Sequence, residues 1–392
     1  MTKQTHKGLK VFSAVLLGLL LILLLVVAGL WGHEIISVAS IRQLTEANPE
    51  HNDGATYEMH VSGDYYFDDF LEQGGAATDS QLISFITGKI TKGIIPMNIK
   101  TTDISCSAFT ATTEEGDRVF GRNYDFSKTN TAIVYTNPGH GRHASVSTVD
   151  LSFISVDKEQ GITGMVDKIL CLAAPYVPLD GVNDAGLSCG IFMSYQGGGN
   201  GIGTDQQTEK PDLTSTTMLR MILDYAATVD EAVALVEQYD LHDSANSSFH
   251  YMIADAQGNS AILEWVGTDA GTDTDGSRRT LNVIRNTDNF QCITNFILAD
   301  GYYREGDSKP GLDRYDYLTE HLTESNGTVA DEEAAMALLA GVGRRNWQET
   351  HPDSNGTTIH SVVYNLTDCT SYWVGNEHYD EAAYSFHCAP EK

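Results

Sequence analysis

A strongly apolar segment stands near the start of the chain. Residues 11–31 (VFSAVLLGLLLILLLVVAGLW) form a run of 21 residues without charge, and Lys3, Lys7 and Lys10 precede it. At about 1.5 Å per residue, such a helix spans a hydrocarbon layer of roughly 30 Å. Positive residues flanking a span stay inside the cell, so residues 1–10 are expected to be a cytoplasmic tail. We therefore predict a transmembrane signal anchor over 11–31, with the rest of the chain extracellular.

A cleaved signal peptide is the alternative for this segment. Its apolar region usually has about 7–15 residues and ends at a small-x-small cleavage site. Here the run is longer, and only a loose SVASI follows it. The anchor is therefore preferred, and the membrane becomes the first predicted partner.

The next part of the chain is polar. Residues 32–78 are acidic and contain glycine (TEANPEHNDGATYE, LEQGGAATD), which is typical of a loosely ordered lead-in. After it, TDSQLISFITGKITKG has a Thr/Asp cap signal and apolar residues at helical spacing between Leu82 and Ile90. This helix is expected to pack on the domain that follows. Residues 32–105 are accordingly predicted to be an extracellular linker and propeptide.

From Cys106 onward the pattern predicts strands. CSAFTATT and RVFGRNYDF flank the turn EEGD, a second hairpin surrounds AQGN and a third surrounds LTDC. Four helical segments lie between them: TTMLRMILDYAA, VDEAVALVEQY, DRYDYLTEHL and DEEAAMALLAGV. Antiparallel hairpins with intervening helix pairs indicate an α+β layered domain. The glycine-rich stretch Gly197–Gly203 is predicted to be a flexible loop or a pocket rim.

Charge and cysteine content exclude several classes of protein. The formal charge of −29 argues against binding to nucleic acid or to anionic lipid surfaces, which select basic patches. None of the six cysteines forms a C-x-x-C pair, so we expect no zinc site and no other cofactor. Cys369 and Cys388 lie near the two ends of the last predicted hairpin, and a disulfide between them is one alternative.

The most obvious hydrolase motif is GLSCG, around Ser188. A G-x-S-x-G nucleophile needs a strand running into the serine and a helix leaving it. Here a turn-like GVNDAG precedes Ser188 and an apolar segment follows, so the context is reversed. A serine hydrolase is therefore a minor alternative.

The segment SCSAFTATTEEGDRVFGRNYDF contains a better candidate. With the turn centred on Glu115 and Gly116, Cys106 is expected opposite Asp125 in a hairpin. Strict alternation then sends Arg122 to the other face of the sheet. For both side chains to reach Cys106, the strand would have to bulge near Gly121 or Asn123.

A cysteine, an aspartate and an arginine perform hydrolysis without a histidine only if another base is present. A thiol reacts as the thiolate. If Cys106 were the first residue of a cleaved chain, its own α-amino group, with a pKa of about 7.7–8.0, would serve as the base. The predicted chemistry therefore requires cleavage of the bond between Ser105 and Cys106.

These residues resemble the start of the mature choloylglycine hydrolases and penicillin V acylases, cysteine members of the N-terminal nucleophile (Ntn) hydrolases, and more distantly acid ceramidase. The resemblance extends over roughly 106–380 through GVNDAGLSCGIF, FHYMIADAQGNSAILEW, CITNF and GLDRYDYL. It implies a four-layer αββα sandwich of antiparallel sheets over 106–392. It also implies autocatalytic cleavage at Ser105, with Cys106 as nucleophile and Arg122 and Asp125 beside it.

The same resemblance implies three further site residues. Asn295 in CITNF corresponds to the side-chain oxyanion donor, and Arg314 to the second arginine of the site. Met193 stands where bile salt hydrolases have asparagine and penicillin acylases have tyrosine. Since methionine cannot donate a hydrogen bond, a backbone N–H near Met193 is expected to take that role.

The predicted function is hydrolysis of linear amides through a thioester on Cys106. The substrates expected from the resemblance are N-acyl compounds such as bile-salt conjugates, acyl amino acids, acyl-homoserine lactones or acylated β-lactams. Cleavage would free the catalytic part from the membrane unless the helix near Leu82–Ile90 keeps it docked. A homo-oligomer is left open. An unprocessed, membrane-anchored binding protein that keeps the Ntn fold is the alternative, and Met193 is the residue that favours it.

Overall fold

A computed structural model describes residues 2–93, 105–196, 202–345 and 356–391, with the backbone alone for 2–11. Most of the glycine-rich loop predicted at Gly197–Gly203 lies outside the described residues. The helices are α1 (Thr2–Ser40), α2 (Phe67–Glu72), α3 (Asp79–Lys89), α4 (Met165–Leu170), α5 (Ser215–Tyr225), α6 (Val229–Val236), α7 (Leu312–Glu324) and α8 (Glu332–Gly341).

The strands, in chain order, are β1 (Arg42–Thr45), β2 (Thr56–Val61), β3 (Ser105–Thr113), β4 (Arg118–Phe126), β5 (Thr131–Thr136), β6 (Ser145–Asp150), β7 (Asp180–Asn183), β8 (Ser188–Met193), β9 (Asp212–Thr214), β10 (Asp240–His242), β11 (Phe249–Ala254), β12 (Ser260–Val266), β13 (Thr280–Arg285), β14 (Gln291–Ile293), β15 (Thr328–Val329), β16 (Thr357–Asn365), β17 (Thr370–Gly375) and β18 (Ser385–Cys388). All three predicted hairpins are present, as β3–β4, β11–β12 and β16–β17. The four helical segments predicted between them are α5 to α8.

Two large sheets make up a mixed α+β fold. The first has nine strands in the order β1-β2-β5-β6-β7-β8-β11-β12-β13. The second has seven, with β14-β3-β4-β16-β17-β18 in sequence and β15 beside β3. Most neighbours are antiparallel, as predicted, but β2 runs parallel to β5 and β15 runs parallel to β3.

The two sheets contact each other through alternate side chains of their strands. Trp373 of β17 donates its indole N–H to the Thr148 hydroxyl of β6 at 3.2 Å. On the other side of the seven-stranded sheet, Phe109 and Val363 belong to a separate apolar cluster with Leu318 of α7 and Leu339 of α8. Helices α5 and α6 contact β7, β8 and β11 of the nine-stranded sheet. Cys106 thus lies on the face of its sheet that is turned toward the other sheet.

The N-terminal helix continues well beyond the predicted span. It has non-helical backbone angles at Trp31 (φ −136°, ψ 21°), which separate a first part from a second. The stretch Phe12–Ser40, 29 residues, is long and apolar enough to cross a membrane. A signal sequence near the N-terminus can have the same length and apolar composition as this helix, so the transmembrane anchor over 11–31 stays a prediction.

The loosely ordered lead-in predicted for residues 32–78 is wrong. Strands β1 and β2 belong to the nine-stranded sheet, and β2 pairs with β5 over six residues. Phe67 and Phe70 of α2 are completely buried. The acidic and glycine-rich loops dominate the composition of this segment, whereas its few apolar residues decide its structure by packing on later strands. Helix α3, capped by Thr78 and packed through Leu82, matches its prediction.

The alternative of a Cys369–Cys388 disulfide is also wrong. Cys388 of β18 lies opposite Ser371 of β17, two positions beyond Cys369. Cys369 occupies the turn before β17 with φ 59°, and its sulfur lies 3.5 Å from the Asp184 carbonyl. No disulfide joins any of the six cysteines, all of which are described.

Candidate active site

The β3–β4 hairpin sets the geometry of the site, and its register differs by one residue from the prediction. Cys106 lies opposite Tyr124, and Asp125 lies opposite Ser105. Because alternation has period two, this shift moves Arg122 onto the face of Cys106 and Asp125 onto the other. The predicted bulge near Gly121 or Asn123 is absent from this pairing. The irregularity lies in β16 instead, between Thr358 and His360.

Cys106 is completely buried, and three of its atoms have polar partners. Arg122 Nη2 lies 3.6 Å from the sulfur. The backbone N–H donates to Asn295 Oδ1 at 3.0 Å. The carbonyl accepts from Arg314 Nη1 at 2.6 Å. The thiol, amide and carbonyl of one residue therefore each contact a different predicted site residue.

Arg314 connects the cysteine to the predicted aspartate. It lies in the first turn of α7 and is 2% exposed. Its Nη1 lies 3.4 Å from Asp125 Oδ2, and its Nη2 donates to the Ser105 hydroxyl at 2.9 Å. Asp125 also accepts from the Thr358 hydroxyl at 2.7 Å. Asp125 therefore belongs to the cluster through Arg314, not through direct contact with the sulfur.

Asn295 follows β14 and joins four groups. Its Oδ1 accepts from the Cys106 N–H, from the Ser105 hydroxyl at 3.0 Å and from Arg314 Nη2 at 2.8 Å. Its Nδ2 donates to the Met193 carbonyl at 2.9 Å. Met193, the last residue of β8, is buried and contributes its backbone to this contact. One of the two amide donors of Asn295 is thus occupied by the Met193 carbonyl in the intact chain.

A buried ionic network behind Cys106 was not predicted from the sequence. Arg122 Nη1 forms an ion pair with Asp180 of β7, and Nη2 donates to the Ile191 carbonyl at 2.8 Å. Asp180 also accepts from the Tyr364 hydroxyl and contacts His360 Nε2 at 2.9 Å. The available signal was a charged residue in the otherwise apolar segment PYVPLDGV, because a carboxylate in a buried strand requires a cation nearby.

The environment alters the acidity of these groups. Burial raises the pKa of the Cys106 thiol to about 11, because the Arg122 guanidinium offsets only part of the cost of desolvation. Burial also raises the pKa of Asp125, against the attraction of Arg314. Burial and then the charge of Arg122 lower the pKa of His360, so a neutral ring donates its Nε2–H to Asp180. In the intact chain Cys106 is therefore a protonated thiol at neutral pH.

Two other groups offer less for chemistry. Ser188 begins β8, is buried and donates its hydroxyl to the Gly181 carbonyl at 2.8 Å. A strand leaves this serine, as predicted, which is the wrong context for a nucleophile. Asp205, Asp240 and His242 place ligand atoms within 4.8 Å of one another. Both Asp240 oxygens accept loop N–H groups, and His242 Nε2 contacts a third acidic side chain, that of Asp212, at 2.8 Å.

Comparison with known proteins gives a family match that begins at Cys106. Residues 106–275 match the family model described as linear amide C-N hydrolases, choloylglycine hydrolase family. No curated protein sequence matches the chain.

Similar solved structures include two variants of conjugated bile acid hydrolase from Clostridium perfringens. One is 16% identical with a TM-score of 0.49, covering 72% of this chain and 92% of its own. The other is 15% identical with a TM-score of 0.48, covering 73% and 97%. Penicillin V acylase from Agrobacterium tumefaciens is 18% identical with a TM-score of 0.46, covering 69% and 83%.

Proposed function

We propose that the protein is a self-processing cysteine amidohydrolase, on the premise that residues 106–275 match the model of the linear amide C-N hydrolases, choloylglycine hydrolase family. The observation that carries the proposal is the arrangement around Cys106. Its sulfur, its N–H and its carbonyl each contact a different side chain, Arg122, Asn295 and Arg314. A structural cysteine needs none of these partners, whereas a nucleophile that uses its own nitrogen as base needs all of them.

Maturation begins with attack of the Cys106 sulfur on the Ser105 carbonyl carbon. The C–N bond between the two residues breaks, the proton of the thiol passes to the leaving nitrogen, which becomes the α-amine, and a thioester joins Ser105 to the sulfur. Water then hydrolyses the thioester, which releases the Ser105 carboxylate and restores the thiol. Hydrogen bonds from Ser105 Oγ to Asn295 and from Arg314 to Ser105 Oγ support this step, because they hold the reacting peptide in place.

In the matured enzyme the α-amine of Cys106 takes the proton of the thiol. The thiolate, stabilised by Arg122, attacks the carbonyl carbon of a linear amide, and Asn295 supplies a donor to the oxyanion. The leaving amine receives the proton from the α-ammonium, and a thioester remains. Water attacks the thioester with the α-amine as base, and the free acid leaves. Met193 contributes backbone to the same pocket wall, and Asp125 holds Arg314.

The proposed substrates are N-acyl compounds with an apolar acyl part. This class includes bile-salt conjugates, acyl amino acids, acyl-homoserine lactones and acylated β-lactams. The proposed architecture is a four-layer αββα sandwich of 106–392, which the packing of α5 and α6 on one sheet and α7 and α8 on the other supports. The proposed location is the outer face of a cell membrane, anchored by the apolar helix.

Intact mass and N-terminal sequencing test the proposal. Wild-type protein is expected to yield a chain beginning at Cys106 and to hydrolyse at least one member of a panel of N-acyl amides. Cys106→Ala should do neither. The matched control is Cys171→Ala, since Cys171 is equally buried but lies outside the site. Ser188→Ala should keep full activity, which excludes the serine hydrolase.

An unprocessed binding protein is the second candidate, favoured by the absence of a side-chain donor at Met193. It predicts that wild type and Cys106→Ala both remain uncleaved and inactive while still binding an N-acyl amide. That result would contradict self-processing.

A further inference from the structure

A groove lies between the N-terminal helix and the globular part of the protein. Its volume is about 450 Å³, within the range of 300–1,000 Å³ usual for ligand sites. One face of α1, from Val27 to Ala39, forms one wall. The other wall comes from α4, the residues after it, and the chain after α3. The lining is almost entirely apolar, which is unusual for a groove open to water.

The groove is bordered by the most exposed apolar side chains of the globular part. Among the described residues outside α1, Met165 and Val166 of α4 have the largest exposed fractions, 64% and 57%. Large apolar side chains exposed side by side mark a surface that contacts a partner or a membrane. Met165 itself lines the groove.

The length of the apolar helix leaves part of it uncovered. A span of roughly 30 Å requires about 20 residues, whereas Phe12–Ser40 has 29. The surplus after the kink at Trp31 packs on the globular part through Glu34 and Ser37. On the groove side, however, Ile35 is 50% exposed. An apolar occupant of the groove would cover it.

The polar side chains at the groove indicate which polar head group a bound amphiphilic molecule would have. The chain has 53 acidic and 24 basic residues, yet Lys168 is a groove residue and lies one turn after Met165. The acidic Glu34 in the groove accepts from the Tyr66 hydroxyl at 2.8 Å. Asp167 accepts from the N–H groups of its own helix start. Lys168 is the basic side chain among the residues that line the groove, and its ammonium group suits a phosphate.

We propose that this groove binds one acyl chain of a bilayer phospholipid, with Met165 and Val166 in the membrane surface and Lys168 at the lipid phosphate. The occupant is a lipid because the α1 wall of the groove is continuous with the apolar run that begins at Phe12. The inference rests on the proposed membrane span and is independent of amide hydrolysis. It gives the catalytic part a defined orientation on the membrane.

Photolabelling of the full-length protein in phosphatidylcholine nanodiscs tests the proposal. The nanodiscs contain a phospholipid with a diazirine in one acyl chain, and labelled peptides are identified by mass spectrometry. Labels are expected on α1 and on residues 165–172. Ala39→Phe fills the groove and should abolish the labels on 165–172. Ala28→Phe, on the same helix but away from the groove, should leave them. Lys168→Gln should reduce labelling by the phospholipid but not by a diacylglycerol with the same diazirine.

Three results would overturn the inference. The first is labelling confined to residues 12–31, and the second is labelling of 165–172 that Ala39→Phe does not change. The third is a chemical cross-link between two copies at α4, which would identify a second chain as the occupant. Hydrolysis of a water-soluble N-acyl amide, measured on the same samples, should be equal in Ala39→Phe and wild type. Its absence in both would count against the proposed function and not against the groove.

Discussion

Arg122 is the residue on which the charge balance of the site depends. Its guanidinium is completely buried and is divided between the Cys106 sulfur and the Asp180 carboxylate. A buried cation without a counter-charge is costly, so the Asp180 carboxylate stabilises the charge of Arg122. The ion pair also fixes the orientation of the guanidinium group. Asp180 is in turn held by His360 and Tyr364. Cys106, the proposed nucleophile, is thus positioned in part by residues that do not touch it.

Asp180→Asn is expected to lower the free energy of unfolding by about 3–5 kcal/mol, because it leaves the Arg122 charge buried and unpaired. It should also slow processing at Ser105, since Arg122 is no longer held at the sulfur. The matched control is Asp184→Asn, four residues away and paired with His143 at a partly exposed site. Exposed pairs contribute about 0–1 kcal/mol, so the control should change little. Chemical denaturation and the rate of cleavage measure both effects.

The carboxyl group of Glu377 is expected to make the stability of the protein depend on pH. Its carboxylate accepts from the Thr358 and Arg345 N–H groups, and burial raises its pKa from 4.5 to about 7. The folded state therefore binds its proton more tightly than the unfolded state. This contribution to stability is complete below pH 4.5 and is lost as the pH rises through about 7.

We expect wild type to lose more stability between pH 5 and pH 8 than Glu377→Gln, which cannot titrate. Denaturant unfolding at both pH values gives the difference. Glu381→Gln, at an exposed position, is the control and should follow wild type. An identical loss in Glu377→Gln would contradict the assignment.

At the scale of the element, the start of α7 decides where Arg314 points. Gly311 precedes the helix with φ 78°, and a Cβ there would lie 2.7 Å from Arg314 Nη2. A glycine is therefore required here for two reasons. The backbone is left-handed, and a Cβ would collide with the guanidinium of Arg314. The helix itself follows from the pattern DRYDYLTEHL, but the direction of its third side chain follows from this turn.

Gly311→Ala should cost about 1–2 kcal/mol of stability through the backbone and should also displace Arg314 from Ser105 and Asn295. Gly301→Ala is the matched control for Gly311→Ala, because Gly301 has a similar φ of 75° but open space around its Cβ position. Both variants should lose similar stability in thermal unfolding. Only Gly311→Ala should slow cleavage and amide turnover, and equal rates in the two variants would refute the positioning role.

At the scale of the whole molecule, the segment from β1 to α3 (Arg42–Lys89), which precedes Cys106, is part of the fold. Strands β1 and β2 form the edge of the nine-stranded sheet next to β5, and α2 buries Phe67 and Phe70. The Tyr65 hydroxyl donates to Asp224 at 2.6 Å, which adds a buried polar contact between the parts before and after the proposed cleavage point. The proposed cleavage at Ser105 would therefore leave two chains held together, and the proposed anchor would keep 106–392 at the membrane.

Processed wild-type protein in detergent is expected to elute from gel filtration with residues 1–105 still bound to 106–392. Phe70→Ala removes a buried ring, at a cost of about 3–5 kcal/mol, and should promote dissociation after cleavage. Phe12→Ala, with a ring 66% exposed, is the control and should leave the complex intact. Elution of active 106–392 alone from wild type would contradict the prediction.

The sequence determined the α+β class, the hairpins and the helices α3 and α5–α8, because periodicity is a local property. Its motifs and the family resemblance singled out Cys106, Arg122, Asn295 and Arg314 as candidates, and the structure brings these four residues into contact. Only the tertiary structure decided the β3–β4 register, which differed by one residue and thereby moved Arg122 to the sulfur and Asp125 away from it. It also decided that Asp180 and His360 support the site, since they lie on strands 58 and 238 residues from Arg122. Residues 32–78 appeared loosely ordered by composition, but a few apolar side chains packed on distant strands are enough to fold the part from β1 to α2. Contacts between distant parts of a chain are a property of the packed molecule, and no local pattern carries them.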